Sequence, residues 1–399
     1  MTAPPAPSPT AAHWRERARL AQAQGRLADA IAAQVQAANS AQAEALPATE
    51  QAADCHRLAT LLFTARDPHG AVTALTRARS LDPARPDLAL NLGMALLAAN
   101  QVDAALVELQ AAERERPDPP PMLLDALAHA WGRAGRLDMA RACGERSLLA
   151  KDAEACPPPE ATAPTPPLPA FDPTDSRRHI ISFSLFGTQP RYLDGALANA
   201  HAATRLYPGW TCRFHVDDSV PAETCAALVA SGAQLRRMPR PPRLADGLFW
   251  RFTVLDDPDV THFLLRDADS VLNAREAAAV QAWLASGRGF HVMRDHPAHT
   301  DLMLAGLWGG VRGRLPPLRA LLNGFHYRTG TQSRSADQVF LAERVWPRIR
   351  HDCLVHDSVY RVLGAQDFPP GSALPPGRHV GDNAAAFGAP TPNPPPRPE

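Results

Sequence analysis

The sequence lacks an excess of either charge, a long apolar run and a paired-cysteine motif. Its 399 residues carry 41 Lys+Arg and 41 Asp+Glu, so a formal net charge of zero gives no indication of a global polyanion-binding surface. No stretch of about 18 apolar residues occurs, so no membrane-spanning helix is expected. The six cysteines are scattered without a C-x-x-C pair, which argues against a zinc cage or a disulfide framework.

The first residues also lack the apolar core of a secretory signal peptide, and they are rich in proline instead. We therefore expect a cytoplasmic protein. The 41 prolines cluster in three main places. They predict a disordered tail at 1–10, a semi-extended linker at 153–176 and a second Pro-rich tail at 386–399.

Residues 11–152 are rich in alanine and leucine and contain a recurring phrase. It begins at Gly25 (GRLADA), Asn100 (NQVDAA) and Gly135 (GRLDMA), with a degenerate copy near Asp67. The last three copies are about 34 residues apart, and this region resembles the tetratricopeptide repeats that have this period. Each unit would be a helical hairpin that stacks on its neighbours, so that an all-α domain presents a concave surface to a protein partner or acceptor. A generic alanine-rich helical bundle is the alternative.

From 177 to 385 short apolar runs alternate with helical stretches, which predicts a mostly parallel α/β sheet. The apolar run His262–Leu265 predicts a central strand, and Asp267 and Asp269 follow it at the edge where such sheets bind ligands. Two close carboxylates repel unless a cation shares them, and Mg²⁺ or Mn²⁺ takes such oxygen ligands. We predict that this D-x-D (residues 267–269) holds a divalent ion that holds a nucleotide diphosphate. A solvated surface turn is the alternative.

Several separate motifs in this half carry a family resemblance: SFSLFG, YPGWTCRFHVDDSVP, FWRF, RDADS, FHVMRDHPAH and DQVFL. Together they resemble nucleotide-sugar-dependent glycosyltransferases of the A-type fold, in which a single Rossmann-like sheet binds the nucleotide and the D-x-D carries Mn²⁺ or Mg²⁺. The resemblance implies transfer of a sugar from a nucleotide diphosphate sugar to a glycan, lipid or protein acceptor. The sequence departs from the family at Ala305, where related chains tend to have a glycine.

Within the predicted metal site, Asp269 is the first candidate for direct ligation. Asp267 is expected to contact the ribose, or the metal through water. The resemblance implies a further ligand from a late histidine, which is His356 by order in the chain, with His379 as the competitor. Arg266 forms either a structural ion pair or a phosphate contact.

Four residues are candidates for nucleotide binding. Phe186 and Gly187 end the first strand, where a backbone can approach a nucleotide closely or form a plain tight turn. Asp217 can accept hydrogen bonds from base or ribose, or lie in a solvated turn. Arg251 can bind the diphosphate bidentately or be an ordinary arginine on a helix surface.

Two carboxylates are candidates for the base that takes the acceptor proton, Asp295 and Asp337, with Asp295 ranked first. Helix capping competes as the explanation for Asp337. The pair His296-x-x-His299 has the look of a zinc motif, but no further ligands complete it nearby, so structural hydrogen bonding is favoured. Trp308 is either a platform for a sugar ring or a core residue.

Two other functions stay open from the sequence. The chain is alternatively a non-catalytic adaptor, in which the repeats bind a partner and the second domain has lost turnover. A third class, metal-dependent nucleotidyl transfer, also uses a carboxylate pair but releases pyrophosphate. No nucleic-acid partner is expected.

Overall fold

A computed structural model describes four stretches of the chain, residues 9–155, 167–241, 243–327 and 335–383. They divide into two compact units, Met1–Ser147 and Leu148–Glu399. Most of both predicted tails, the centre of the predicted linker and Cys156 lie outside the described residues. The five described cysteines are free.

The first unit is a succession of helical hairpins, which confirms the prediction of repeats. The recurring phrase lies at the turn inside each hairpin, where one residue has positive φ: Gly25 (72°), Arg66 (61°), Asn100 (64°) and Gly135 (75°). The helices are α1 (Ala11–Ala23), α2 (Leu27–Ala43), α3 (Ala48–Thr64), α4 (Pro68–Leu81), α5 (Pro86–Ala98), α6 (Val102–Arg114) and α7 (Pro121–Arg133), followed by α8 (Leu137–Glu154), which continues past Ser147.

The first repeat interval is longer than the others because two of its helices are longer. Helices α2 and α3 have 17 residues each, whereas α4 has 14 and α5 has 13. The degenerate copy begins where the side chain of Asp67 caps α4 by accepting from the Gly70 backbone N–H at 2.9 Å. The irregular spacing therefore reflects helix length, not a missing repeat.

Small residues let the helices of this unit approach closely. A Cβ added at Gly93 of α5 would lie 2.5 Å from Cγ of Leu109 on α6, and Leu109 is fully buried. Much of the surrounding core consists of buried alanine and leucine. The many alanines thus allow the helices to cross at short distances.

The second unit contains one seven-stranded sheet in the order β3-β2-β1-β4-β6-β5-β7. Neighbouring strands are parallel except β6, which is antiparallel to β4 and β5. A long 3₁₀ segment (Leu244–Asp256) precedes β4. The strands and α-helices are β1 (His179–Leu185), α9 (Pro190–Leu206), β2 (Thr211–Val216), α10 (Ala222–Ala230), β3 (Gln234–Arg237), β4 (His262–Arg266), α11 (Ala274–Ser286), β5 (Phe290–Arg294), β6 (Trp308–Val311), α12 (Leu318–Leu322), α13 (Ala336–Phe340), α14 (Trp346–Ile349) and β7 (Cys353–Asp357).

Strand β4 is buried along its whole length, which confirms the central strand expected from its apolar run. It pairs with β1 on one side and β6 on the other. The end of the apolar, glycine-containing segment LMLAGLWGGV (residues 302–311) forms β6. A Cβ at Gly309 would lie 2.5 Å from a methyl carbon of Leu264, so the glycines allow β6 to press against β4.

Parallel strands place their carboxyl ends at one edge of the sheet. The residues that follow β1, β2, β4, β5 and β7 therefore gather there. Because β6 runs in the opposite direction, its first residues lie at the same edge. This carboxyl edge holds most of the residues that the sequence singles out.

Candidate functional site

Asp267 and Asp269 lie where β4 ends, at the predicted edge. Their side chains are 44% and 17% exposed, so the first faces solvent and the second is mostly covered. Both remain accessible to a ligand at the edge, but neither is fully solvated as a plain surface turn would be.

The D-x-D backbone is held in place by α9. The amide nitrogen of Asn199, which is fully buried, donates to the carbonyl oxygens of Ala268 (3.2 Å) and Ser270 (3.0 Å). Its amide oxygen accepts from the N–H of Leu272 at 2.9 Å. A Cβ added at Gly195 would lie 2.3 Å from the carbonyl oxygen of Ala268. Helix α9 therefore packs directly on the turn and fixes where the two carboxylates emerge.

One guanidinium joins the D-x-D to a third carboxylate. Arg251 is 3% exposed and donates to Oδ1 of Asp267, to the carbonyl oxygen of Arg266 (2.9 Å) and to Oδ2 of Asp337 (2.6 Å). Burial raises the pKa of the Asp337 carboxyl above its usual range, although Arg251 opposes this. Asp337 and Asp267 thus share one positive charge, and Arg251 is not the surface arginine of the alternative interpretation.

The second aspartate has a weaker cationic partner. Nη2 of Arg191, in the first turn of α9, lies 3.5 Å from Oδ2 of Asp269. Burial raises the pKa of the Asp269 carboxyl, and the charge of Asp267 adds to this effect. The negative charge of the Asp269 carboxylate is therefore only partly balanced by the neighbouring guanidinium.

Carboxylates outnumber the cationic groups around the D-x-D. Three carboxylates, from Asp267, Asp269 and Asp337, face the guanidinium groups of Arg251 and Arg191, which leaves negative charge in excess. Among the described residues no group of three or more His, Cys, Asp or Glu is arranged to hold a metal. Two carboxylates suffice for Mg²⁺, which keeps waters and takes substrate phosphates as its remaining ligands.

A glycine lies directly against the first carboxylate. A Cβ added at Gly306, just before β6, would lie 2.1 Å from Oδ2 of Asp267. Ala305, where the sequence differs from the family that it resembles, is part of the apolar core. Gly306 therefore lets the chain that enters β6 pack directly against the carboxylate of Asp267.

The structure does not bring His356 to the aspartates. Strands β6 and β5 lie between β4 and β7, which carries His356. Its ring nitrogens contact His291 Nε2 (2.8 Å) and Gln366 Nε2 (3.2 Å), and burial lowers its pKa to about 4. His356 is therefore a hydrogen-bonded core residue. Strands β6 and β5 separate it from the D-x-D, and the order of residues in the chain does not reveal this arrangement.

The competitor, His379, lies in a segment that crosses the carboxyl edge. Two residues beyond it, Gly381 accepts from the Ser270 hydroxyl at 3.0 Å, and Asn383 forms a β-bridge with Ser270. Nδ1 of His379 donates to the Val380 carbonyl oxygen at 2.9 Å. Of the two late histidines, His379 is therefore the one whose segment adjoins the D-x-D.

The two predicted bases have different surroundings. Arg275 donates to both oxygens of Asp295 (3.0 and 2.9 Å), and the Val380 N–H donates to its Oδ2 (2.9 Å). Asp337 is linked to Asp267 through Arg251. The structure therefore links Asp337 to the D-x-D through the guanidinium of Arg251, whereas the side chain of Asp295 is held by Arg275 and Val380.

The ends of β1 and β2 are joined by one serine. The hydroxyl of Ser219 accepts from the Gly187 N–H at 2.7 Å, and the Ser219 N–H donates to Asp217 Oδ1 at 3.0 Å. Asp217 is 5% exposed, so it is not in a solvated turn. Phe186 packs on Gly247, where a Cβ would lie 2.8 Å from its ring. These residues form a continuous wall at the β1 and β2 side of the edge.

Arg266 forms a structural ion pair, which is one of the two roles predicted for it. It is fully buried beside Glu276, with which it forms an ion pair, and it donates to the Trp308 carbonyl oxygen at 2.8 Å. Tyr207 donates to the same glutamate at 2.8 Å. Trp308 is fully buried, so the core interpretation of this residue is correct.

The His296-x-x-His299 pair also has structural hydrogen bonds. Nδ1 of His296 accepts from the Ala298 N–H (3.1 Å), and Nδ1 of His299 accepts from the Asp295 N–H (3.0 Å). The ring of His379 lies 4.5 and 5.0 Å from these two rings. The two Nδ1 atoms stabilise the loop after β5, as the sequence interpretation favours.

Sequence reasoning missed Arg191, Asn199, Gly195 and Gly306. The signal for Arg191 was available, because a residue in the first turn of a helix that follows a parallel strand lies at the carboxyl edge. Asn199, Gly195 and Gly306 gave no such signal, since their roles depend on which backbone atoms a helix or strand approaches in three dimensions.

Comparison with known proteins supports the prediction of tetratricopeptide-like repeats in the first unit. Residues 62–130 match the family model described as tetratricopeptide repeat. This segment covers the end of α3 through most of α7, so the chain contains tetratricopeptide-like repeats followed by a mixed α/β sheet. No curated protein matches the chain.

Three solved structures illustrate the level of similarity. BtubC of P. vanneervenii is 20% identical, with 39% of this chain and 69% of that chain covered and a TM-score of 0.33. MamA is 19% identical, with 36% and 80% covered and a TM-score of 0.31. A mutant of the Thermobaculum terrenum O-GlcNAc transferase is 20% identical, with 64% and 50% covered and a TM-score of 0.34. These TM-scores are too low to support an argument about fold or function.

None of the helices in the described residues is both long and apolar enough to cross a bilayer.

Proposed function

We propose that the second unit is a metal-dependent glycosyltransferase of the A-type fold, which uses a nucleotide diphosphate sugar. The observation that supports this most directly is the carboxylate pair Asp267 and Asp269 at the carboxyl end of the central strand. The pair is partly exposed, short of positive charge and rigidly held by α9. An ordinary solvated surface turn is not expected to combine partial burial, unbalanced negative charge and a backbone fixed by a neighbouring helix.

The chain's own residues would divide the work as follows. Asp269 would bind the ion directly, and Asp267 would contact the ribose, or the ion through water, while it keeps its ion pair with Arg251. When bound, Mg²⁺ or Mn²⁺ neutralises the negative charge that develops on the diphosphate leaving group. Gly187 and Asp217 form the wall on the β1 and β2 side, where the base and ribose are expected.

The acceptor half of the site is defined less closely. Asp337 and Asp295 both remain candidates for the base that takes the acceptor proton. Asp337 is favoured by its link to the D-x-D through Arg251. The repeats of the first unit would hold a protein partner or the acceptor on their concave surface.

The test is metal-dependent turnover over a panel of nucleotide sugars, with released nucleoside diphosphate as the product measured. Asp269→Asn should lower Mn²⁺-dependent hydrolysis or transfer about 100-fold or more, because it removes the charge that holds the ion. Asp218→Asn is the matched control, since Asp218 is an exposed aspartate at the same edge.

Three results would contradict the proposal. Turnover that Asp269→Asn leaves unchanged would reject the metal role. Absence of calorimetric heat with UDP or GDP in the presence of Mn²⁺ would favour the adaptor alternative. Release of pyrophosphate in place of a nucleoside diphosphate would indicate nucleotidyl transfer.

A further inference from the structure

The two arginines at the D-x-D are held very differently. Arg251 is 3% exposed and donates to two carboxylates, whereas the side chain of Arg191 is 42% exposed and approaches Asp269 only to 3.5 Å. The guanidinium carbon of Arg191 also lies 4.4 Å from the ring centroid of Tyr192, to whose hydroxyl it donates. Half-exposed contacts of this kind are weak, so Arg191 can leave Asp269 at little cost while Arg251 cannot leave Asp267.

We propose that Arg191 and the divalent ion compete for Asp269, and that the displaced guanidinium then binds the diphosphate of the donor. The inference rests on the proposed function and deepens it. It assigns to Arg191 a role in regulating the order of binding at the site.

The competition follows from charge and distance. A divalent ion on Oδ2 of Asp269 would lie within a few ångströms of Nη2 of Arg191, because both would share that oxygen. Two cations so close repel each other strongly at a partly covered site. The guanidinium therefore gains by moving to a new anion. Its side chain is 42% exposed, and the move breaks its contacts with Asp269 and with Tyr192, its neighbour in the chain.

The new anion would be the diphosphate of the donor, which would bind at the edge from which Arg191 projects. Arg191 begins α9 immediately after β1, so it projects from the same edge as Gly187 and the D-x-D. A guanidinium presents two parallel N–H groups that match phosphate oxygens, and such charge-assisted hydrogen bonds are stronger than neutral ones. The move replaces one weak ion pair by a stronger contact.

This arrangement makes metal and nucleotide mutually dependent. Without them, Arg191 partly balances the charge of Asp269 and so weakens the affinity of the site for the ion alone. With both present, the ion and Arg191 hold the diphosphate from two directions. Removal of the Arg191 charge should therefore have opposite effects on the two affinities.

The experiment measures both affinities on the full chain with Arg191→Gln. Binding of Mn²⁺ alone, followed by the electron paramagnetic resonance signal of free Mn²⁺, should become about two- to fivefold tighter. Binding of UDP or GDP in saturating Mn²⁺, followed by calorimetry, should become about tenfold weaker. Arg205→Gln is the matched control, because Arg205 is exposed near the other end of the same helix and should change neither affinity.

A second variant guards against a trivial loss of structure. Arg191→Lys keeps the charge but not the forked geometry, so it should bind Mn²⁺ as the parent does and bind the nucleotide more weakly. Parent-like affinities of Arg191→Gln for both ligands would overturn the inference and leave the proposed function intact, as would weaker Mn²⁺ binding. Failure of the parent protein to bind Mn²⁺ or either nucleotide would overturn both proposals.

Discussion

Asn199 offers a quantitative test of how the D-x-D is held. Its fully buried side chain makes hydrogen bonds to Ala268, Ser270 and Leu272, at 3.2, 3.0 and 2.9 Å. Asn199→Ala removes all of them and leaves buried backbone groups without these partners. Each bond contributes about 1 kcal/mol net, and the unsatisfied groups add to the loss, so we expect a decrease of about 3 kcal/mol in the free energy of unfolding.

Urea unfolding followed by tryptophan fluorescence measures this change in the second unit. Five of the seven tryptophans lie there: Trp210, Trp250, Trp283, Trp308 and Trp346. Asn323→Ala, at an exposed asparagine in the same unit, should change the free energy of unfolding by less than about 0.5 kcal/mol. A loss below about 1 kcal/mol for Asn199→Ala would refute the argument that α9 secures the turn.

Two further predictions concern stability. His215, His262 and His356 are buried, and burial lowers the pKa of each to about 4, so the unfolded chain binds more protons below its own histidine pKa near 6.5. Stability should therefore fall as the pH drops from about 6.5 towards 4, by up to about 1.4 kcal/mol per pH unit for each histidine; a urea midpoint that is equal at pH 7 and pH 5 would contradict this. In the first unit, Gly93→Ala should cost about 1–3 kcal/mol, because the added Cβ would lie 2.5 Å from the buried Leu109; unfolding followed by far-ultraviolet circular dichroism measures the loss.

The sequence was most informative where a local pattern determines the structure. The apolar run of β4 predicts a buried strand whatever its neighbours are, and the phrase beginning at Gly25, Asn100 and Gly135 marks turns that need a left-handed residue. The position of Asp267 and Asp269 at the carboxyl edge follows from the same local reasoning, since it requires only that β4 be parallel to β1.

The sequence was least informative where the order of strands matters. His356 and His379 both come late in the chain, and only the insertion of β6 and β5 between β4 and β7 decides that the first is remote. The partners of Arg251 are equally non-local, because Asp337 comes 86 residues later. Arginine is usually a surface residue on a helix, and no pattern within the Leu244–Asp256 segment reveals that this one is buried between two carboxylates.

The reversed direction of β6 has a consequence for how such a site can diversify. The chain that leaves β5 after Arg294 and enters β6 at Trp308 starts and finishes at the same edge of the sheet. A loop anchored in this way can lengthen, shorten or change composition without disturbing any helix crossover behind it. Variation in the outer part of this loop would therefore leave β4 in place, whereas a change at Gly306 would disturb the carboxylate of Asp267 directly.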